Sequence, residues 1–404
     1  MNMIQVQDAR EQILSKIKVK GVEKVSLDQA LGRVLAEDII SQVNNPPLDN
    51  SAMDGYALIA EDIAGATPES PVKLEVVEEI AAGYSAKGTL KPGQAMRIMT
   101  GAPIPAGANA VLMQEDTDKD GDFILANDRA DVEENIRKAG EDVQKGETVI
   151  KKGVTLSPAH IGMMAVVGRS QVPVGQRPTV AILSTGDEIL ELDQKPEGPQ
   201  IYNSNGHMLA AQIRSAGGIP VYLGIAKDTE KDLMEKFEWA LKSDIVVSSG
   251  GVSVGDYDLV KASLKKMGQE MLFWKVAMKP GKPLAFGRIG DTPIFGLPGN
   301  PVSSFVSFEQ FVRPSLKKVM GCSDLMHQTV QAKLTQTIHK KPGRLHFLSA
   351  MVSSNNGEYT VTPAGEQGSG VLKSAANANG LLVFPLEEAE IKEGAQVSVQ
   401  LLDI

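Results

Sequence analysis

Of 404 residues, 42% are hydrophobic and 23% charged, which excludes a mainly disordered chain and, at roughly 150 residues per domain, implies two to four domains. The formal net charge of −9 argues against a duplex nucleic-acid binder and, read naively, against an anionic substrate. One cysteine, Cys322, excludes an intrachain disulfide and a Cys-rich zinc site.

The first twenty residues carry no apolar run after a basic start, and no stretch reaches the roughly 18 apolar residues of a membrane span. A cytoplasmic protein without membrane contact is expected. Val6, Ala9, Ile13, Leu14 and Ile17 recur at helical spacing. Ser26 with Gln29 has the form of a capping box and predicts a second short helix through Leu31, closed by Gly32. Residues 34–36 and 39–40 read as strands before Asn44-Asn45-Pro46-Pro47 halts regular structure. Between Leu48 and Val149, strands at 72–77, 95–99, 110–114 and 123–125 are separated by Pro/Gly turns, the texture of a small β-rich domain. Residues 155–168 then predict a helix with Ser157 as N-cap and Pro158 at its first position.

From Pro178 onward, strands at 180–184, 220–225 and 244–248 alternate with helices at 206–216, 229–242 and 257–267, the signature of βαβ units around a parallel sheet. Apolar runs at 283–288 and 293–296 precede a long helix at 301–320, closed by Gly321. Strands at 329–334, 359–362, 380–384 and 396–401 predict a separate C-terminal β domain, a barrel or a sandwich.

Ligands of such a sheet collect at the carboxyl ends of its strands, and three polar loops lie there. They are Ser184-Thr185-Gly186-Asp187-Glu188, the run from Ser248 to Asp256, and Gly296-Leu297-Pro298-Gly299-Asn300-Pro301. Glycines admit an anion to backbone N–H groups, and Asn300 with Pro301 predicts a capped helix start aimed at the same crevice. None of the loops has the P-loop or the dinucleotide fingerprint. Asp187, Glu188, Asp228, Asp256 and Asp258 stand beside them, and carboxylates next to an anion site suit a hard cation such as Mg²⁺. The five histidines are scattered, which disfavours a His-rich metal centre. Lys275 and Lys279 are an even number apart, so one strand would present both on one face, with Lys282 on the following proline-stiffened turn. The segments around Asp49-Asn50, Asp54, Thr100 and Asp142 read on their own as ordinary turns.

Seven blocks in register give these segments a second meaning. DNSAMDGY (49–56), RIMTGAP (97–103), GED (140–142), STGDE (184–188), SSGGVSVG (248–255), KPGKP (279–283) and GLPGNP (296–301) resemble the MoeA family of molybdopterin molybdenumtransferases, represented also by the C-terminal domain of gephyrin. The resemblance implies four domains: a discontinuous linker domain (1–47 and 145–177), a β-rich insert (48–144), an α/β domain like molybdopterin adenylyltransferase (178–326) and a C-terminal β-barrel (327–404). It also implies a homodimer, each cleft formed by the α/β domain of one subunit and the β-rich domain of the other. The implied reaction is Mg²⁺-dependent insertion of molybdenum from molybdate into adenylylated molybdopterin, releasing AMP. Expected partners include a molybdopterin adenylyltransferase and proteins that deliver cofactor to apo-molybdoenzymes. Under this resemblance Ser248, Gly250, Gly251, Ser253, Gly255, Lys282, Pro298, Asn300 and Pro301 bind the pterin nucleotide. Asp54, Thr100 and Asp142 close the cleft from the partner subunit. Asp187, Glu188, Asp228 and Asp258 place Mg²⁺, a water or the nucleotide, with Glu188 and Asp228 the metal ligands. Lys275 and Lys279 hold oxyanions and steady developing charge, joined by Arg344 and Ser369. Two other readings stand beside this one: a non-enzymatic pterin-binding scaffold, and a nucleotide phosphoanhydride hydrolase sharing only the α/β module.

Overall fold

The computed structural model describes residues 3–250 and 259–402. It divides into two compact units, each discontinuous in sequence. The larger holds the chain up to Glu37, Lys152–Ser157 and everything from Gln171 onward; the smaller holds Asp38–Lys151 and Pro158–Ser170.

In the larger unit a six-stranded sheet runs in the order Ile219–Ala226, Thr179–Thr185, Ile245–Ser249, Thr292–Leu297, Pro283–Ile289, Glu270–Lys275. The first four strands are parallel. Successive residues point to opposite faces, and both faces are covered. Val180, Ile182, Ile245 and Val247 pack with Leu209 and Ile213 of helix Ser204–Ser215. Ala181, Leu183 and Val246 pack instead with Leu233 and Phe237 of helix Glu230–Ala240 and with Val260 and Leu264 of helix Leu259–Lys266. The last two strands are antiparallel, which extends the expected parallel sheet into a mixed one. The cause is local: only Gly290 and Asp291 separate Pro283–Ile289 from Thr292–Leu297, enough for a hairpin and too few for a crossover.

The C-terminal strands close on themselves. Leu345–Asn355, Glu358–Pro363, Thr329–Leu334, Gln396–Leu401 and Gly380–Phe384 form a ring, with Gly380–Phe384 pairing back onto Leu345–Asn355. Leu334, Leu348, Val361, Leu382, Phe384 and Val399 fill this barrel. The smaller unit is built on a six-stranded sheet in the order Ala110–Met113, Gly55–Leu58, Gln94–Ile98, Val72–Ile80, Phe123–Ala126, Thr117–Asp120, with one apolar cluster on each face. No helix among the described residues is long and apolar enough to cross a membrane.

Several expected elements differ. The capping-box helix after Ser26 is a single 3-10 turn, Leu27–Gln29, and the Ser26 side chain caps nothing. The chain reverses at once there, so no full α-turn closes. The helix expected at 155–168 spans only Pro158–Val166. The long helix at 301–320 is three pieces: Pro301–Ser307, a π-turn at Phe308–Val312, and Arg313–Val319. Pro314 explains the interruption, because it has no N–H to give the carbonyl of Gln310. That oxygen instead accepts from Arg10 Nε at 3.4 Å, and burial pushes the Arg10 guanidinium down.

The expectation that Lys275 and Lys279 share a strand face fails. Lys275 ends the sheet strand Glu270–Lys275, whereas Lys279 lies on Met278–Lys279, which pairs in parallel with Leu345–His346 of the barrel. Between them the chain leaves the sheet, with Val276 N–H bonded to the Lys282 carbonyl at 3.0 Å, and two lysines on different sheets share no pleat.

Candidate functional site

Thr179–Thr185 pairs with Ile219–Ala226 on one side and Ile245–Ser249 on the other, so the order of connection reverses at its carboxyl end. The three polar loops leave adjacent strands at that end, where an open α/β sheet holds ligands. Gly250 fixes the spacing. Its φ is +91°, its N–H donates to the Leu297 carbonyl at 3.2 Å, and a Cβ there would lie 2.5 Å from the Thr185 carbonyl oxygen. Gly250→Ala should therefore lower stability by about 1–3 kcal/mol, measured by urea melts, and spread the loops apart.

Beneath these loops the hydroxyls of Thr185 and Ser248 are buried with no partner among the described residues. Pro298 and Asn300 lie on the third loop, and Pro301 opens the helix behind it. The expected Asn300 side-chain cap is absent. Its Nδ2 donates instead to Ser369 Oγ at 3.3 Å, while the Ser369 carbonyl accepts from Val302 N–H at 3.0 Å. Ser369 thereby takes over the first turn that an Asn cap normally serves, joining the barrel to the loop. Gly251, Ser253, Gly255, Asp256 and Asp258 lie outside the described residues.

Asp187, Glu188 and Asp228 come together because their strands are neighbours, with Thr185 in register with Ala226. Asp228 N–H donates to Asp187 Oδ1 at 3.3 Å. Burial pushes the Asp228 carboxyl up, and the charges of Asp187 and Glu188 push it further. Such crowding, with no ion-pair partner for these acids among the described residues, gives hard oxygen donors suited to a divalent metal. Among the described residues no three acids or imidazoles converge into a complete metal cage.

The lysine segment carries a feature that residue spacing did not reveal. Gly281, at φ +99°, brings the turn against helix Pro301–Ser307; a Cβ there would meet Ser307 Oγ at 2.7 Å. Lys279 stands in register with His346, a buried residue whose Nε2 contacts the Lys341 carbonyl at 3.3 Å. Burial pushes the His346 imidazole down, and the positive charges of Lys279, Lys340 and Arg344 add to this. Burial and then Lys279 likewise lower the Lys340 ammonium. Among the described residues, Lys275, Lys279, Lys282, Lys340 and Arg344 form no ion pair with a carboxylate. Lys279, Lys340 and Arg344 gather around His346 without a carboxylate partner among the described residues, a set of charges suited to an oxyanion. Lys340 was missed because nothing in its local sequence distinguishes it from a surface lysine. The other missed residues are Asn203 and Asn205, although Asn203-Ser204-Asn205-Gly206 has the composition of a helix start. Asn203 caps the helix, accepting from Gly206 N–H at 3.0 Å, and donates to Tyr222 OH at 2.7 Å.

The smaller unit carries its own constellation. Asp54 Oδ1 accepts from the N–H and the hydroxyl of Thr100 at 2.7 and 2.9 Å, bonds that hold the Asp54 carboxyl below its usual range. Arg97 donates to the Gly55 carbonyl at 3.0 Å and covers the Tyr56 ring. A Cβ on Gly55 would meet the Leu112 carbonyl oxygen at 2.0 Å, so this tight approach requires glycine. Asp49 accepts from Ala139 N–H at 2.8 Å, tying the DNSAMDGY block to the turn that leads into GED at 140–142. Asp142 accepts from Asn45 Nδ2 at 2.8 Å and lines a polar cavity of about 360 Å³ with Asn45, Pro46, Asn50, Arg137 and Glu141. Three segments that read separately as turns are thus held in one hydrogen-bonded surface.

Comparison with known proteins gives the family. Residues 4–168 match the MoeA N-terminal region (domain I and II), 181–318 the "probable molybdopterin binding domain", and 331–402 the MoeA C-terminal region (domain IV). The chain is 41% identical over 381 residues to molybdopterin molybdenumtransferase 2 of Mycobacterium tuberculosis, covering 93% of this chain and 94% of the relative. It is 37% identical over 404 residues to the molybdopterin molybdenumtransferase of Bacillus subtilis, covering 99% and 94%. The crystal structure of a molybdopterin biosynthesis MoeA protein from Pyrococcus horikoshii superposes with a TM-score of 0.86 at 34% identity, covering 99% of this chain and 100% of that one. With its three regions matched in order and curated relatives aligned over nearly the whole length, the chain belongs to the MoeA family of molybdopterin molybdenumtransferases.

Proposed function

We propose that this chain inserts molybdenum from molybdate into adenylylated molybdopterin with release of AMP, as a Mg²⁺-dependent, cytoplasmic homodimer. The coarser statement follows from the family: the protein is a transferase of molybdenum cofactor biosynthesis, acting on molybdopterin. The observation that carries the finer one is the pairing of two environments in the larger unit. Glycine-rich loops with buried hydroxyls suit the phosphates of a pterin nucleotide, and the barrel-side cations suit a tetrahedral oxyanion such as molybdate. Ser369, expected from the sequence to join the oxyanion set, is bonded to Asn300 of the third loop.

In this reading the Ser248–Gly250 end, Pro298, Asn300 and Pro301 hold the nucleotide and pterin phosphates. From sequence alone, Gly251, Ser253 and Gly255 are assigned to the same task, and Asp258 to placing Mg²⁺, a water or the nucleotide. Lys275, Lys279, Lys282, Lys340 and Arg344 hold the incoming oxyanion and offset charge that develops as the anhydride opens. Glu188 and Asp228, with Asp187, would hold Mg²⁺, which would supply charge neutralisation at the phosphates; the crowded carboxylates fit that role. Asp54, Thr100 and Asp142 would close the cleft from the second subunit. The domain reading follows the same proposal: 1–47 with 145–177 as linker, 48–144 as insert, 178–326 as the pterin-binding module and 327–404 as barrel. A molybdopterin adenylyltransferase would supply the substrate, and delivery proteins for apo-molybdoenzymes would take the product.

The test is direct. Incubation with adenylylated molybdopterin, Mg²⁺ and molybdate should release AMP in step with formation of cofactor that activates an apo-molybdoenzyme. Bound pterin without AMP release would support a scaffold instead. Hydrolysis of simple dinucleotides without molybdate would support the hydrolase reading.

A further inference from the structure

Asn205 occupies the second position of helix Ser204–Ser215, two residues past the Asn203 cap, and is only 8% exposed. Its Nδ2 donates to two acceptors at once, Ser249 Oγ at 2.8 Å and the Gly299 carbonyl at 2.7 Å. Ser249 ends strand Ile245–Ser249, and Gly299 lies in the loop after strand Thr292–Leu297. The amide thus ties the exits of two adjacent strands, and the neighbouring cap residue Asn203 accepts from Ser184 Oγ of strand Thr179–Thr185 at 3.1 Å, which brings a third to the same helix start. The two loops are neighbours: a Cβ on Gly299 would lie at ordinary contact distance, 3.9 Å, from Gly250 Cα, and Ser249 Oγ lies 3.5 Å from the Pro298 carbonyl. Asn205 Oδ1 is buried with no partner among the described residues. A serine or alanine at this position could not span both acceptors, and an aspartate would present no N–H to either.

We infer that Asn205 is a positioning residue for the pterin-nucleotide site, setting the gap between the Ser248–Gly250 loop and the Pro298–Asn300 loop. It acts through Ser249 and Gly299. The inference rests on the proposed use of these loops to hold the substrate's phosphates. Loops held at a set gap recognise a phosphate without first paying to organise themselves, so removing the tie weakens ground-state binding before it touches the chemical step.

The experiment measures equilibrium binding of AMP and of adenylylated molybdopterin, together with kcat and KM for molybdenum insertion, in the full-length chain. Asn205→Ala should bind both nucleotides at least about tenfold more weakly and raise KM more than it lowers kcat, the loss expected when two bonds to a shared donor disappear. Asn205→Asp, which keeps the shape and removes the donor, should be at least as impaired. Ser249→Ala removes one of the two acceptors and should give a smaller loss that does not add to that of Asn205→Ala, as a double-mutant cycle would show. It also keeps the inference testable should Asn205→Ala fail to fold. A merely structural role would instead lower the melting temperature with unchanged affinity and an unchanged KM in the folded fraction. Nucleotide affinity within twofold of wild type in Asn205→Ala, or in Ser249→Ala should Asn205→Ala fail to fold, would overturn the positioning role while leaving the functional reading intact. Failure of the wild-type chain to bind adenylylated molybdopterin would remove that reading and the positioning role with it.

Discussion

Replacing Asp228 by Asn is expected to cut molybdenum insertion by at least about a hundredfold, the loss usual for removing one charged or proton-handling group from a reacting site. The same change should leave the fold as stable as before, or more so. Asp228 is held in its neutral form more than an ordinary carboxyl, first by burial and then by the neighbouring charges of Asp187 and Glu188. Ionised carboxylates gathered without a counter-ion repel one another, so an uncharged isostere relieves the folded state. The pH dependence has a definite sign. Because the folded-state pKa lies above the unfolded value, the folded chain binds more protons over the interval between them. The stabilising contribution is complete below the unfolded carboxyl range and is lost as pH rises through the raised folded value. Wild type should show that loss in urea melts and Asp228→Asn should not. Mg²⁺ should oppose it by neutralising the same charges. Glu188→Gln should lose activity similarly. Full insertion activity in either variant would remove the carboxylates from the reaction.

The sequence showed the fold where burial wrote a simple pattern. Val180–Leu183 and Ile245–Val247 alternate between two covered faces, and such runs read as central strands whatever surrounds them. The strand Leu345–Asn355 escaped because its outer half, paired across a two-residue turn with Glu358–Pro363, is exposed and serine-rich, and its buried half is fixed by pairing with Gly380–Phe384 about thirty residues on. The π-turn escaped for a related reason: Pro314 signals a disturbed helix, but the partner that accepts the disturbance, Arg10, lies about three hundred residues away. The candidate site divides along the same line. Loop glycines such as Gly250 announce close backbone approach, whereas the meeting of Asp187 with Asp228, or of Lys279 with His346, depends on strand register. Charge read as a sum was the least informative quantity. A net −9 coexists with a local gathering of cations because binding depends on the groups within a few ångströms of the ligand.

That gathering makes the second large prediction. Lys279→Met and Lys340→Met should each weaken molybdate retention by about tenfold or more, since a hydrogen bond to a charged group contributes about 1.5–3 kcal/mol and 1.4 kcal/mol is a factor of ten. Combining either with Lys275→Ala should weaken it further, and rising ionic strength should erode what remains. His346 reports on the cluster from inside. Its charged neighbours are Lys279, Lys340 and Arg344, its ring nitrogen meets the Lys341 carbonyl, and burial is the largest reason its pKa is lowered. Lys279→Met should therefore raise the His346 pKa only part of the way toward its ordinary value. A bound dianion should raise it in the wild type by the same electrostatic logic. Because the folded-state value is depressed, His346 contributes stability that is present above the ordinary imidazole pKa and is lost as pH falls through the folded value. Molybdate should reduce that loss at acid pH, and Lys279→Met should shrink the benefit. Histidine proton resonances followed through a pH titration, with and without molybdate, measure each of these shifts. Unchanged molybdate retention in the Lys279→Met and Lys340→Met double variant, together with a His346 titration indifferent to molybdate, would place the oxyanion elsewhere in the molecule.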